Sequence, residues 1–164
     1  MDSSVDLDKS QTADLLELIV GRTINVGTYR HVYEYRPDTT KVIKVEKGGY
    51  KFDNIQEWEV WNQAQETYLG KWLARCFTVS MNGLVLIQER TFPIHESKLP
   101  SIIPDVLCDC KRENWGLVKR GGKLVPVCHD YAHNTLVGRG LGKKERLVKA
   151  DWFDPSYKGW DVDG

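Results

Sequence analysis

Residues 108–116, CDCKRENWG, support two incompatible chemistries. The cysteines stand in a C-x-C spacing, which suggests a metal clip. The same letters place Asp109, Lys111 and Asn114 in a D-x-K-x-x-N spacing, which suggests phosphoryl transfer. What the rest of the chain supplies decides between them.

The chain of 164 residues fits one domain, or one domain built as two small lobes. Hydrophobic residues make up 41% and charged residues 28%, an ordinary balance for a soluble globular protein. Lys+Arg and Asp+Glu are equal at 23 each, so no global basic field attracts nucleic acid. The start, MDSSVDLDKSQ, is acidic where a signal peptide is basic. The longest apolar run, LLELIV at 15–20, is too short to span a bilayer. These features predict a cytoplasmic protein with neither membrane nor nucleic acid as partner. Its four cysteines, Cys76, Cys108, Cys110 and Cys128, are then reduced thiols.

Working outward from 108–116, WGLVKRGGKLVPVCHDYA (115–132) reads as a hairpin turning at RGGK. On the other side, LPSIIPDVLCD (99–109) is apolar but broken by prolines, which predicts a short helix ending near Leu107. ARCFTVSMNGLVLIQER (74–90) reads as a second hairpin turning at MNG. Before it, IQEWEVWNQAQETYL (55–69) is a helix with Val60, Trp61, Ala64 and Tyr68 on one face. TINVGTYRHVYEYR (23–36) and TTKVIKVEK (39–47) are β-rich runs separated by a turn. TADLLELIV (12–20) reads as a short amphipathic helix with Leu15, Leu16 and Ile19 facing inward. The tail begins basic, GRGLGKKERLVK, and ends aromatic, DWFDPSYKGW. Hairpins separated by helices make the fold α+β and exclude a βαβ series.

Taken in order, these elements resemble the protein kinase fold, of a minimal bacterial or phage type. NVGTYRHVY is similar to the glycine-rich phosphate loop, with Gly27, Thr28, Tyr29 and Val32 on its matching positions. Asn25 and Arg30 stand where two of its glycines would be. KVIK resembles the V-A-I-K strand and makes Lys44 the phosphate-binding lysine. LVLIQER resembles the strand entering the hinge, with Gln88 near the gatekeeper and Glu89 to Thr91 along the adenine edge. DCKREN is similar to the catalytic loop, with Asp109 as catalytic aspartate, Lys111 as loop lysine and Asn114 as a metal ligand. HDYA resembles D-F-G, with Asp130 as the second metal ligand.

The resemblance implies ATP and Mg²⁺ as cofactors. Phosphoryl transfer needs positioning and neutralisation of phosphate charge more than covalent help. Asn114 and Asp130 offer hard oxygens for Mg²⁺. Lys44 supplies a point charge for phosphate, and Asp109 orients the acceptor hydroxyl. A kinase also needs a helix glutamate to hold its lysine. Glu57 lies on the stripe of Val60, Trp61 and Ala64, whereas Glu59 points away. Alternatively, Glu57 closes a capping box with Asn54.

Departures from the pattern qualify the expectation. Leu107 and Cys108 replace the His and Arg that precede the catalytic aspartate, which argues against phosphorylation-gated activity. No A-P-E element follows Asp130, and no sequence there forms the helices that dock a peptide. The expected fold is one kinase-like domain, 1–164: a helix and β-rich N-lobe over 1–91, and a reduced C-lobe over 92–164. The expected function is ATP- and Mg²⁺-dependent phosphotransfer to a hydroxyl of a protein or small molecule. Its alternative is a nucleotide-binding pseudokinase serving as an interaction module, with the aromatic tail engaging a protein partner. A third reading places zinc on Cys108, Cys110 and Cys128 with His129 or His133. Only one tight cysteine pair exists, and the thiols at the ends of apolar runs fit core positions better.

Overall fold

Asp8 starts the first helix, α1 (Lys9–Ile19), through a capping box. Its carboxylate accepts from the Gln11 N–H at 2.8 Å, and the Gln11 side chain accepts from the Asp8 N–H at 3.0 Å. The computed structural model describes residues 7–49, 51–107, 109–134, 136 and 140–153, which form a mixed α+β fold. The described residues of 1–61 and 75–90 make one compact unit, and those of 62–74 and 91–153 make another. No helix among the described residues is long and apolar enough to cross a membrane.

The first unit holds a five-stranded antiparallel sheet of β1 (Val20–Val26), β2 (Arg30–Tyr35), β3 (Lys41–Glu46), β4 (Cys76–Val79) and β5 (Val85–Glu89). Their order across the sheet is β1-β2-β3-β5-β4. The second helix, α2 (Asp53–Ala64), falls between β3 and β4 in sequence. The run 23–36 divides at its glycine, where the Gly27 N–H donates to the Arg30 carbonyl at 2.9 Å and leaves Thr28 and Tyr29 as the turn.

Side chains alternate across a strand, and directly opposed residues share a face. Arg30 opposes Glu46, Val32 opposes Lys44, Lys44 opposes Leu86 and Val42 opposes Gln88. The register therefore brings Arg30, Lys44 and Gln88 to one face, and Tyr33, Ile43 and Ile87 to the other. On α2 the stripe Val60, Trp61 and Ala64 is buried. Gly83, in the β4–β5 turn, has a φ of 76°, and a Cβ there would lie 2.3 Å from the Ile55 side chain of α2.

In the second unit, β7 (Trp115–Arg120) and β8 (Lys123–Cys128) form a hairpin. Its turn residues Gly121 and Gly122 both have positive φ, as a two-residue hairpin turn of the primed type requires. A two-stranded ribbon joins β6 (Ile102–Pro104) to β9 (Leu147–Lys149). Trp115 is buried between two edge-on rings, Trp72 at 6.4 Å and Trp152 at 5.5 Å. The Trp152 ring N–H also donates to the Pro100 carbonyl at 3.0 Å. Tyr157 and Trp160 of the aromatic tail lie outside the described residues.

Three local expectations are corrected. The α1 helix forms, but Leu15, Leu16 and Ile19 are 42%, 54% and 38% exposed, so its apolar face does not turn inward. The chain passes from Ile19 directly into β1, and without a loop the helix cannot fold back over the sheet. The short helix expected before Leu107 is instead strand β6. Pro104 favours extended backbone at Ile103, and the pairing partner is far along the chain in β9. The α2 helix stops at Ala64, whose carbonyl accepts from both the N–H and the hydroxyl of Thr67, leaving Tyr68 half-buried beyond it.

Trp152→Ala should destabilise the protein by about 1–3 kcal/mol in urea unfolding, because it removes a half-buried ring from the Trp115 contact. Leu18→Ala on α1, whose side chain is 68% exposed, should change stability by less than about 0.5 kcal/mol. A Trp152→Ala loss no larger than that of Leu18→Ala would show that the tail aromatic contributes nothing to the fold.

Candidate functional site

On the sheet face that carries Arg30, Lys44 and Gln88, α2 lowers one carboxylate. Glu57 is completely buried. Its Oε2 accepts from Lys44 Nζ at 3.0 Å and from Gln88 Nε2 at 3.2 Å, and its Oε1 accepts from Arg30 Nη2 at 2.7 Å. Lys44 and Arg30 are themselves only 4% and 6% exposed. Glu59, two residues along the helix, is exposed. Burial alone would push the Glu57 carboxyl up, but the Arg30 and Lys44 charges prevail and hold it at about 2.

The capping-box reading of Asn54 is overturned. Helix α2 begins at Asp53, so Asn54 lies inside it. The Asn54 amide donates to the carbonyls of Lys44 at 3.2 Å and Gly83 at 3.1 Å, and its Oδ1 accepts from Arg30 Nη1 at 3.2 Å. Its backbone N–H donates to Glu46 Oε1 at 2.9 Å. Asn54 and Glu57 are three residues apart and share one face of the helix. A helix turned this way presents both to the sheet.

The β1–β2 turn is held from β3 and beyond. The Lys47 N–H donates to the Tyr29 carbonyl at 2.8 Å, and the Lys51 ammonium sits 5.1 Å from the Tyr29 ring centre. Thr28 and Tyr29 are exposed at the tip, Gly27 is half-buried, and Val32 stands opposite Lys44. Along the proposed adenine edge, Gln88 is turned to Glu57, and the Glu89 carboxylate accepts from the Arg75 N–H at 3.0 Å.

In the second unit, a tight helical turn at Arg112–Asn114 leads straight into β7. The first rung of the hairpin pairs Trp115 with Cys128, which brings Asn114 beside residues 129 and 130. The Asn114 carbonyl accepts from the His129 N–H at 2.8 Å and from the Asp130 N–H at 3.3 Å. Its side-chain amide donates to the Asp109 carbonyl at 3.5 Å. Lys111 Nζ lies 3.7 Å from Asp109 Oδ1. Asp109, Lys111, Asn114 and Asp130 therefore gather at the open end of one hairpin.

His129 supports that end. Its Nε2–H donates to the Glu113 carbonyl at 2.8 Å, so a neutral ring accepts the Thr91 hydroxyl at Nδ1, 2.7 Å away. Thr91, expected along the adenine edge, commits its hydroxyl to this bond. Tyr131 is buried, with its hydroxyl on the Ala74 carbonyl at 2.8 Å.

Cys76 and Cys128 are buried, Cys110 is half-buried, and Cys108 lies outside the described residues. Cys128 is buried and donates to the Asp130 carbonyl at 3.3 Å. Among the described residues, no group of three or more His, Cys, Asp or Glu could hold a metal ion.

Sequence reasoning missed Arg30 and the bridging role of Asn54. The signal for Arg30 was its strand alternation with Val32, which puts a second cation on the face of Lys44 and calls for an acidic partner there. No family model matches the chain, and no curated protein matches it.

Glu57→Gln keeps the shape but leaves two buried cations facing a neutral amide, and should cost about 3–5 kcal/mol of stability. Because the folded carboxyl is depressed, the contribution of Glu57 is fully present above its ordinary value of 4.5 and is lost as pH falls towards about 2. Unfolding measured across that range should fall steeply for the wild type and less for Glu57→Gln. Parallel pH curves would exclude the ion cluster as a source of acid sensitivity.

Proposed function

We propose that the chain is an ATP- and Mg²⁺-dependent phosphotransferase with a minimal, two-lobed kinase-like fold, acting on a hydroxyl of a protein or small molecule. The observation that carries this reading is the Lys44–Glu57 pair, at 3.0 Å. A strand lysine held by a helix glutamate is the device by which kinases aim a charge at phosphate. Here it sits in a five-stranded antiparallel sheet whose helix is inserted after the lysine strand, which supports the same comparison.

The second unit offers the complementary chemistry. The Asn114 amide nitrogen is turned to the Asp109 carbonyl, and its carboxamide oxygen, with the Asp130 carboxylate, would hold the cation. This oxygen donor pair fits Mg²⁺, a hard cation that keeps several waters. Mg²⁺, when bound, neutralises charge on the phosphate oxygens. Asp109 then holds the acceptor hydroxyl and takes its proton, with Lys111 beside it to balance the carboxylate. Lys44 binds α- and β-phosphate oxygens, while Gly27, Thr28 and Tyr29 provide the turn that covers them.

The alternative reading, a nucleotide-binding pseudokinase acting as an interaction module, also has one observation in its favour. Arg30 places a buried guanidinium on Glu57 from a loop position that is glycine in the kinase pattern.

Mg·ATP at about 100 times its dissociation constant should add about 2.7 kcal/mol of stability. Melting should then rise by about 5–10 °C for a chain of this size. Asp130→Asn should remove the metal-dependent part of that rise. Transfer of label from ATP to an acceptor in lysate should be lost in Asp109→Asn. Binding without any transfer would select the pseudokinase reading, and no stabilisation by ATP with any divalent metal would overturn both.

A further inference from the structure

Between α2 and the sheet, Arg30, Glu57, Lys44 and Asn54 form a closed ring of bonds, which the Lys44 carbonyl completes. Arg30 bonds Glu57 with one terminal nitrogen, at 2.7 Å, and Asn54 with the other, at 3.2 Å. Glu57 bonds the Lys44 ammonium, and Asn54 bonds the Lys44 carbonyl. Lys44 is thus tied to the helix twice, once through its side chain and once through its backbone. Each of these bonds is made within the first unit.

The guanidinium is a planar fork with fixed spacing between its donors. Asn54 and Glu57 lie one helical turn apart, so the fork spans a turn of α2 and senses its rotation. A rotation of α2 about its axis would carry both partners away from the fork together. The Gly83 carbonyl, which also accepts from Asn54, adds a third point of attachment at the β4–β5 turn. Arg30 begins β2 immediately after the Gly27–Tyr29 turn, so the same side chain couples that turn to the helix.

We propose that Arg30 is a positioning residue: its two-point grip on Asn54 and Glu57 fixes the rotation of α2 and thereby keeps the Lys44–Glu57 pair assembled in the resting protein. The inference deepens the phosphotransferase reading and rests on it for the use made of Lys44. The closing experiment reads Lys44 directly, so that the two can fail separately.

Full-length wild type, Arg30→Met, Arg30→Lys and Ile43→Ala are pulsed with an amine-acetylating reagent, and modification of Lys44 is followed by mass spectrometry. Hydrogen exchange of the α2 amides is recorded in parallel. Ile43 is buried on the opposite face of the sheet and serves as a comparably destabilised control. Arg30→Met should raise Lys44 acetylation by about tenfold over wild type and speed exchange along α2, as expected for residues coupled in one network. Ile43→Ala should do neither beyond what its lower stability explains. Arg30→Lys should stay close to Arg30→Met, because a compact ammonium lacks the spaced planar fork that spans both partners.

Acetylation in Arg30→Met no greater than in Ile43→Ala overturns the proposal. Full protection in Arg30→Lys also overturns it, since a buried charge would then suffice. Where Arg30→Met does not fold, Arg30→Gln, which keeps a donor for one partner, takes its place in the same comparison. A wild type that gains no stability from Mg·ATP while Lys44 is freed in Arg30→Met would discard the phosphotransferase reading and uphold the positioning role.

Discussion

A carboxylate removed entirely from water must be met by charge and hydrogen bonds, and Glu57 is met by two cations and an amide. That requirement organises the first unit. It explains why α2 presents one face to the sheet, why a lysine is tolerated between Ile43 and Val45 in the middle strand, and why an arginine follows a tight turn. In a medium of low polarity the attraction among these groups is large, but so is the penalty of burying them. The cluster therefore does little for stability in excess of an apolar core. Its bonds are all met in this one arrangement of helix and sheet.

One glycine beside the cluster serves the same geometry. Gly83 lets the β4–β5 turn approach Ile55 closely enough for its carbonyl to reach Asn54. A larger residue there would push the turn away from the helix. In the second unit the work is done by backbone. The Asn114 carbonyl receives two N–H groups from the far side of the hairpin, which ties the metal-ligand candidates to the first rung of β7 and β8. Asn114 is thus held in the turn that enters β7, and the His129 and Tyr131 side chains bond backbone carbonyls.

Strand and helix positions were legible where period and turn chemistry agreed. The RGGK turn, the MNG turn and the apolar stripe of α2 could each be read from local residues, and Glu57 followed from its place on that stripe. Helix α1 was legible as a helix but not as an exposed one, because nothing local records the absence of a loop after Ile19. The segment 102–104 misled for the opposite reason. Its apolar character suits a helix or a strand equally, and the decision came from β9, more than forty residues away.

Local spacing by itself determined which residue types could carry chemistry: the lysine of KVIK, the acids and amide of DCKREN and HDYA, and the acid on the helix stripe. Tertiary structure alone decided their partners. Arg30 had the look of a loop substitution until strand register put it on the face of Lys44, and Asn54 had the look of a cap until the helix began one residue before it. Gln88 and Thr91 likewise turned out to serve Glu57 and His129. The physical reason is range. Propensity, periodicity and capping act over a few neighbouring residues, whereas a buried charge is satisfied by whatever the sheet register and helix rotation bring within about 3 Å of it.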